Sequence, residues 1–210
     1  HVITLISVLS VYSSHAAFFN KTTHKSLRLE KFTTFNGLSD NHINDLVKDN
    51  FGIIWMATDF GVTRYDGMNF NKIDNVVFPK QFRNKKVLAI IPYQKLLLFH
   101  VKDEGIVSYN PITNGTSVIT QKAVLKMQVI GNSVYYYREN GYLYEYEQTS
   151  KQKAFYIGKL SYFEFNHYKD GLYFLIRNRG FIKFNLNSKK IQLNVLNNEL
   201  FQDIGFPIKS

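Results

Sequence analysis

Apolar and polar positions alternate with a period of two through much of the chain, and one pattern returns four times. It occupies Ile53–Asp66, Leu96–Asn110, Val134–Glu147 and Leu172–Asn185. Each copy opens on an apolar run and breaks at a polar turn. It then continues through a glycine, an apolar residue, an aromatic and finally Asp, Asn or Glu. The marker residues are Gly61 and Tyr65, Gly105 and Tyr109, Gly141 and Tyr146, and Gly180 and Phe184. The glycines stand 44, 36 and 39 residues apart. Alternating side chains point to opposite faces of a strand, so each copy predicts two strands joined by a hairpin. The strict alternation in Tyr142-Leu143-Tyr144-Glu145-Tyr146 argues against a helical repeat, whose period is about 3.6 residues.

The first copy shows what a whole unit contains. In His42–Asn50 the apolar Ile43, Leu46 and Val47 sit among polar residues, as suits an innermost strand. Asp49-Asn50-Phe51-Gly52 carries turn chemistry. Ile53–Ala57 is an almost continuous apolar run, expected of a strand buried on both faces, and it contains the single tryptophan, Trp55. Thr58–Gly61 turns the chain back, with Gly61 free to take positive φ. Gly61–Asp66 is a third strand, Asp66-Gly67 a hairpin signal, and Met68–Ile73 an outer fourth strand.

Four short strands recurring every ~40 residues are the signature of a β-propeller blade. The expected fold is all-β: a β-propeller with four-stranded blades at 37–78, 79–120, 121–158 and 159–197, and the start of a fifth at 198–210. A sandwich or barrel explains the strands but not the recurring unit. Seven blades of ~40 residues need roughly 280, so about four blades imply an incomplete, open part of a seven-bladed ring. Residues 17–36 are expected to supply a closure strand, Leu27–Phe32, for the outer edge of a last blade. An open arc leaves a sheet face and an edge uncovered, and such a segment expressed alone is expected to aggregate.

Aromatic residues make up 16% of the chain, which suits pleated, half-buried strands. The net charge of +10 raises the question of nucleic acid, but the basic residues are 20 Lys and only 6 Arg, with no dense run. Bidentate recognition of bases and phosphates favours the planar Arg fork. A solvated Lys-rich surface is the better reading, with no nucleic-acid contact. The absence of cysteine excludes disulfides, cysteine zinc sites, thiol catalysis and attachment through an N-terminal lipidated Cys. Val2–Val11 is apolar yet far short of the ~20 residues that span a bilayer. It is followed by Ser14-His15-Ala16, which fits a small-x-small cleavage site. Residues 1–16 therefore read as a truncated signal peptide, with mature protein from near Ala17; a buried N-terminal strand is the alternative.

Three stretches carry a family resemblance: Gly37-Leu38-Ser39-Asp40-Asn41-His42-Ile43, Asp49–Thr58 and Gly61-Val62-Thr63-Arg64-Tyr65-Asp66-Gly67. Together they closely resemble the two-component regulator propeller repeat. The later three copies keep the glycine and the aromatic but lack the tryptophan. The resemblance implies the periplasmic sensor region of a Bacteroidetes hybrid two-component system. Such proteins place propellers ahead of a small β-sandwich, a membrane helix, a histidine kinase and a DNA-binding output, and are anchored in the inner membrane. It also implies an oligosaccharide ligand, and as partners the remaining blades, the downstream sensor domains and a second copy in a homodimer.

Chemistry is sparse. The six histidines show no paired metal-ligand spacing, and no nucleophile elbow, phosphate loop or His-Glu-x-x-His motif is present. No cofactor, metal or catalytic residue is expected; a propeller lyase or hydrolase, or a purely protein-binding propeller, are the rival readings. The turns between second and third strands supply the ligand candidates: Asp59, Lys102 and Asp103, Arg138 and Asn140, and Arg177 and Arg179. Such turns converge at one end of a propeller. Three arginines on neighbouring blades would suit an acidic group such as a uronate or sulfate. Trp55 reads as core and not as a sugar platform.

Overall fold

A computed structural model describes residues 30–158, 165–176 and 180–194. The chain divides into residues 1–31 and 32–210, and every element below belongs to the second unit. The expected signal peptide, most of the expected closure strand and the expected fifth blade lie outside the described residues.

The described chain forms four antiparallel sheets of four strands, each a simple meander. The first blade holds β1 (Ile43–Lys48), β2 (Ile54–Thr58), β3 (Gly61–Tyr65) and β4 (Phe70–Lys72). The second holds β5 (Val87–Tyr93), β6 (Leu96–Val101), β7 (Gly105–Tyr109) and β8 (Thr116–Thr120). The third holds β9 (Lys126–Ile130), β10 (Ser133–Tyr137), β11 (Tyr142–Tyr146) and β12 (Lys153–Tyr156). The fourth holds β13 (Phe165–Tyr168), β14 (Gly171–Ile176), β15 (Gly180–Asn185) and β16 (Ile191–Asn194). Helix is confined among the described residues to short turns, such as α1 (Asp74–Val77) on the connection from the first blade to the second.

The repeat owes its polar ending to the hairpin between third and fourth strands. Asp66 Oδ1 accepts from the backbone N–H groups of Met68 and Asn69 at 3.0 and 2.8 Å. Asn110 Oδ1 does the same for Ile112 and Thr113, and Asn185 Oδ1 for Asn187 and Ser188. A short Asx side chain closes the turn on itself, satisfying donors that no strand would pair. The third blade departs from this rule. Its acid is Glu147, whose longer side chain accepts instead from the Ser133 and Ser150 hydroxyls, at 2.7 and 2.8 Å. Its glycine departs as well: Gly141 stands one residue before β11, whereas Gly61, Gly105 and Gly180 open their strands.

Blades stack through continuous apolar seams. Trp55, Ala57 and Val62 of the first blade pack against Leu97, Phe99 and Tyr109 of the second, sealed at the connection by Phe78 and Phe82. Trp55 is only 1% exposed, sits edge-on to Tyr109 at 5.5 Å, and donates its indole N–H to Asp49 Oδ2 at 2.8 Å. Leu98 and Ile106 meet Met127, Val134 and Tyr136 at the next seam. Tyr135, Tyr137 and Leu143 meet Phe165, Leu172, Phe174 and Phe184 at the third. No apolar cluster among the described residues joins the first blade to the fourth.

Candidate functional site

A meander sends alternate turns to opposite ends of the stack. At one end lie the turns joining second to third strands, and here the structure places Asp59, Lys102, Asp103, Arg138 and Asn140. Arg177 and Arg179 lie outside the described residues. The others form two groups. Asp59 accepts from Asn44 Nδ2 at 2.8 Å, pairs with Lys86 at 2.7 Å and faces His42 at 3.3 Å. The hydrogen bonds from Lys86 and Asn44 hold its carboxyl down to about 2. Asn44 also donates to the Val87 carbonyl, and the Lys102 N–H to the Lys86 carbonyl. Asp59 is therefore occupied as a clasp between the first two blades, with Lys102 tied to the same strand entry. Asp103 is exposed at the tip of its turn, with φ +62°.

Arg138 and Asn140 meet at the Tyr144 hydroxyl, which accepts from Nη1 and Nδ2 at 3.2 and 2.9 Å. The guanidinium also lies 5.2 Å from the Tyr144 ring centroid, a cation–π arrangement. Tyr142 and Tyr156, both exposed, pack beside it with ring centroids 5.0 Å apart. Among the described residues, this end therefore shows an arginine folded back on an aromatic and an aspartate engaged by its neighbours.

Two recesses lined by described residues open at the other end. A cleft of 550 Å³ lies at the seam of the third and fourth blades. A smaller one of 280 Å³, flanked by Lys48, Phe51, Lys95 and Ile112, lies at the seam of the first and second. The larger cleft is built on the faces of β10 and β11 and on the two turns of the fourth blade nearest them. At its floor Glu145, 4% exposed, accepts from Tyr135 Oη and Lys189 Nζ, each at 2.5 Å, while Lys189 also reaches Tyr135 Oη at 2.8 Å. Lys189 belongs to the β15–β16 turn, so this contact crosses the seam.

Burial pushes Glu145 up, but the donors Lys189 and Tyr135 outweigh it and leave the carboxyl below its usual range. Burial would likewise lower Lys189; the same two partners hold it above. The second oxygen of Glu145 is buried with no hydrogen-bond partner, and Lys153 Nζ stands 3.7 Å from it. Around this floor lie Glu147, held down by its two serine donors, and on the fourth blade His167, Lys169 and Asn187. Among the described residues no group of three or more acidic, His or Cys side chains is placed to hold a metal ion.

Sequence reasoning did not single out Glu145, Tyr135 or Lys189. The one available signal was the position two before the final Glu of the third copy. It faces the next blade and carries Arg64, Ser108 and Lys183 in the others, a polar site in an apolar strand.

The sequence matches no family model and no curated protein. Solved structures do match. The extracellular domain assigned to the hybrid two component system BT3049 of B. thetaiotaomicron superposes with a TM-score of 0.60 at 18% identity, over 79% of this chain and 26% of that one. The fold is a β-propeller. The extracellular domain of BT4673 from the same organism gives 0.56 at 19% identity, covering 75% of this propeller and 22% of its own chain. PorZ of Porphyromonas gingivalis, a surface component of the type-IX secretion system, gives 0.57 at 11%, covering 77% and 23%. The propeller thus spans about a quarter of the length of these neighbours. No helix among its described residues is long and apolar enough to cross a membrane.

Proposed function

We propose that this chain is the sensing propeller of a two-component regulator, exported to the periplasm, which binds an oligosaccharide and has no turnover of its own. The observation that carries the reading is the first blade, where Gly37–Gly67 resembles the two-component regulator propeller repeat almost throughout. The fold likeness to two extracellular domains assigned to hybrid two component systems supports it. Within the blade, the patterned residues are occupied by structure. Asp49 closes the β1–β2 turn and holds Trp55. Thr63 Oγ1 accepts from the Ser39 N–H at 2.8 Å, and Asp66 closes the β3–β4 turn. The motif therefore specifies the scaffold, and ligand choice falls to the clefts and turns that differ between blades.

The test is deletion of the gene in its own host, followed by transcript profiling on a panel of polysaccharides and their fragments. Loss of induction on one polysaccharide is expected, with direct binding of its fragments to the purified extracytoplasmic region and no change in their mass on incubation. Unaltered transcription on every polysaccharide, or fragments cleaved by the purified protein, rejects the reading. N-terminal sequencing of the exported product is expected to begin near Ala17; an uncleaved cytoplasmic chain would refute export.

A further inference from the structure

The third blade breaks the repeat at the turn between its second and third strands. Tyr142 opens β11 where glycine opens the third strand of the other blades, and Tyr144 stands where they carry Thr63, Val107 and Ile182. The repeat glycine falls one place earlier, and a Cβ on Gly141 would come within 2.9 Å of the Tyr156 ring. Without that carbon Tyr156 lies against the turn, so Tyr142 and Tyr156 form an exposed aromatic corner. Tyr144 stands beside it, 6.3 Å from Tyr142, and is held by a nearly parallel stack on Tyr136 at 5.1 Å. Its hydroxyl accepts from both Arg138 and Asn140, so its own hydrogen is left to donate, and no acceptor for it stands among the described residues. Arg138 is short of partners as well. Its Nε is buried with none, and among the described residues no carboxylate lies within ion-pair distance of it, whereas Lys86, Lys183 and Lys189 each have one.

We propose that this turn binds the oxyanion of an acidic sugar. The Arg138 guanidinium and the Tyr144 hydroxyl take the charged group, and Tyr142 and Tyr156 take the apolar face of the ring that carries it. Water can serve either donor, but a carboxylate or sulfate adds charge to the bond and has oxygens enough to meet both. The aromatic corner selects what carries that group. Tyrosine rings give rigid contact area at small entropy cost, since two torsions fix each of them. A sugar ring presents a C–H face to such a surface, and a bare inorganic anion does not. The hairpin itself requires none of these side chains, because the other three blades form it without them. Two sources share the chemistry: a uronate, through its carboxylate, and a sulfate ester. The proposal deepens the sensor reading by naming the charge of the ligand and the turn that reads it, and rests on that reading for the choice of a sugar.

Calorimetry on the purified extracytoplasmic region tests it with three probes: digalacturonate, a sulfated carrageenan disaccharide and neutral cellobiose. At least one acidic probe is expected to bind at least about tenfold more tightly than cellobiose, and to lose that margin as salt rises. Arg138→Gln is expected to weaken acidic binding by about tenfold or more, the loss of one charge-assisted contact. Tyr144→Phe, which keeps the ring stack, should weaken it by about three- to tenfold, and Tyr142→Ala by about threefold or more. The melting temperature of each variant checks that the fold persists, and Tyr142→Ala, at an exposed ring, serves where Arg138→Gln unfolds the blade. Which acidic probe binds separates carboxylate from sulfate. Binding of neither above cellobiose, or acidic binding unchanged in the folded variants, overturns the proposal. If a neutral oligosaccharide binds and ignores all three substitutions, the sensor reading stands and this site falls. If an acidic probe binds here and transcription in the host ignores it, the site stands and the sensor reading falls.

Discussion

Trp55 and His100 show how a single buried polar atom fixes the meaning of a residue. The Trp55 indole fills the first seam, and its one donor is met by Asp49. Trp55→Ala is expected to cost roughly 3–5 kcal/mol, as a large buried aromatic leaves a cavity; denaturant unfolding measures it. Asp49→Asn keeps the shape but turns an amide NH2 on either the indole N–H or the two backbone donors, and should cost about 1–3 kcal/mol. His100 is 4% exposed and its Nε2 lies 2.8 Å from the Val124 carbonyl, on the chain entering the third blade. Burial pulls its pKa below 6.5, against the Val124 bond and Asp103, which raise it. The unfolded chain therefore takes up a proton near pH ~6.5 while the native ring stays neutral, so stability is full above ~6.5 and falls below it. The slope is at most about 1.4 kcal/mol per pH unit. His100→Gln should flatten this limb in urea unfolding between pH ~6.5 and ~5. An unchanged limb would mean that His100 does not titrate differently in the folded state.

At the scale of the element, the hairpin between second and third strands depends on backbone that only glycine supplies. Gly105 opens β7 with φ +128°, and a Cβ there would sit well inside contact distance of the Thr120 carbonyl on β8. Gly105→Ala therefore meets both a disfavoured φ and a rigid backbone neighbour, and is expected to cost roughly 2–4 kcal/mol from strain and overpacking. Gly67→Ala is the comparison: φ is +100° but nothing lies within 4 Å of the added carbon. It should lose only the strain, about 1–2 kcal/mol. Equal losses in thermal melts would show that the close approach to β8 carries no weight.

Across the described blades, each seam combines an apolar cluster with polar stitches. Asp45 Oδ2 accepts from the Ile90 N–H at 2.8 Å at the first seam, and Tyr93 Oη donates to the Asn132 carbonyl at 2.8 Å at the second. At the third the stitch is ionic, Lys189 to Glu145. Removing one partner strands the other, so Lys189→Met should destabilise more than a surface pair does. With the ammonium partly exposed, roughly 1–3 kcal/mol is expected. Glu145→Leu in the same chain removes the stranded carboxylate and should recover much of the loss. A double variant as unstable as the single would show that the pair is not coupled.

The sequence by itself determined the strands, the blade and the order of the blades. Period-two alternation and a recurring glycine–aromatic–acid unit are local, covalent facts, and strand formation follows from them. The same local logic made Trp55 legible as core, because it lies inside an apolar run. It also marked the turns where Asp59 and Arg138 would sit. Only the tertiary structure decided what those side chains face. Asp59 is consumed by Asn44 and Lys86, the second of which is 27 positions away and reaches it only once two blades pack. Glu145 and Lys189, 44 residues apart, meet because the third and fourth blades stack in one register. A cleft between sheets is a property of packing distance and the direction of side chains. One-dimensional pattern carries neither, so the cleft and the pair at its floor appear only in three dimensions.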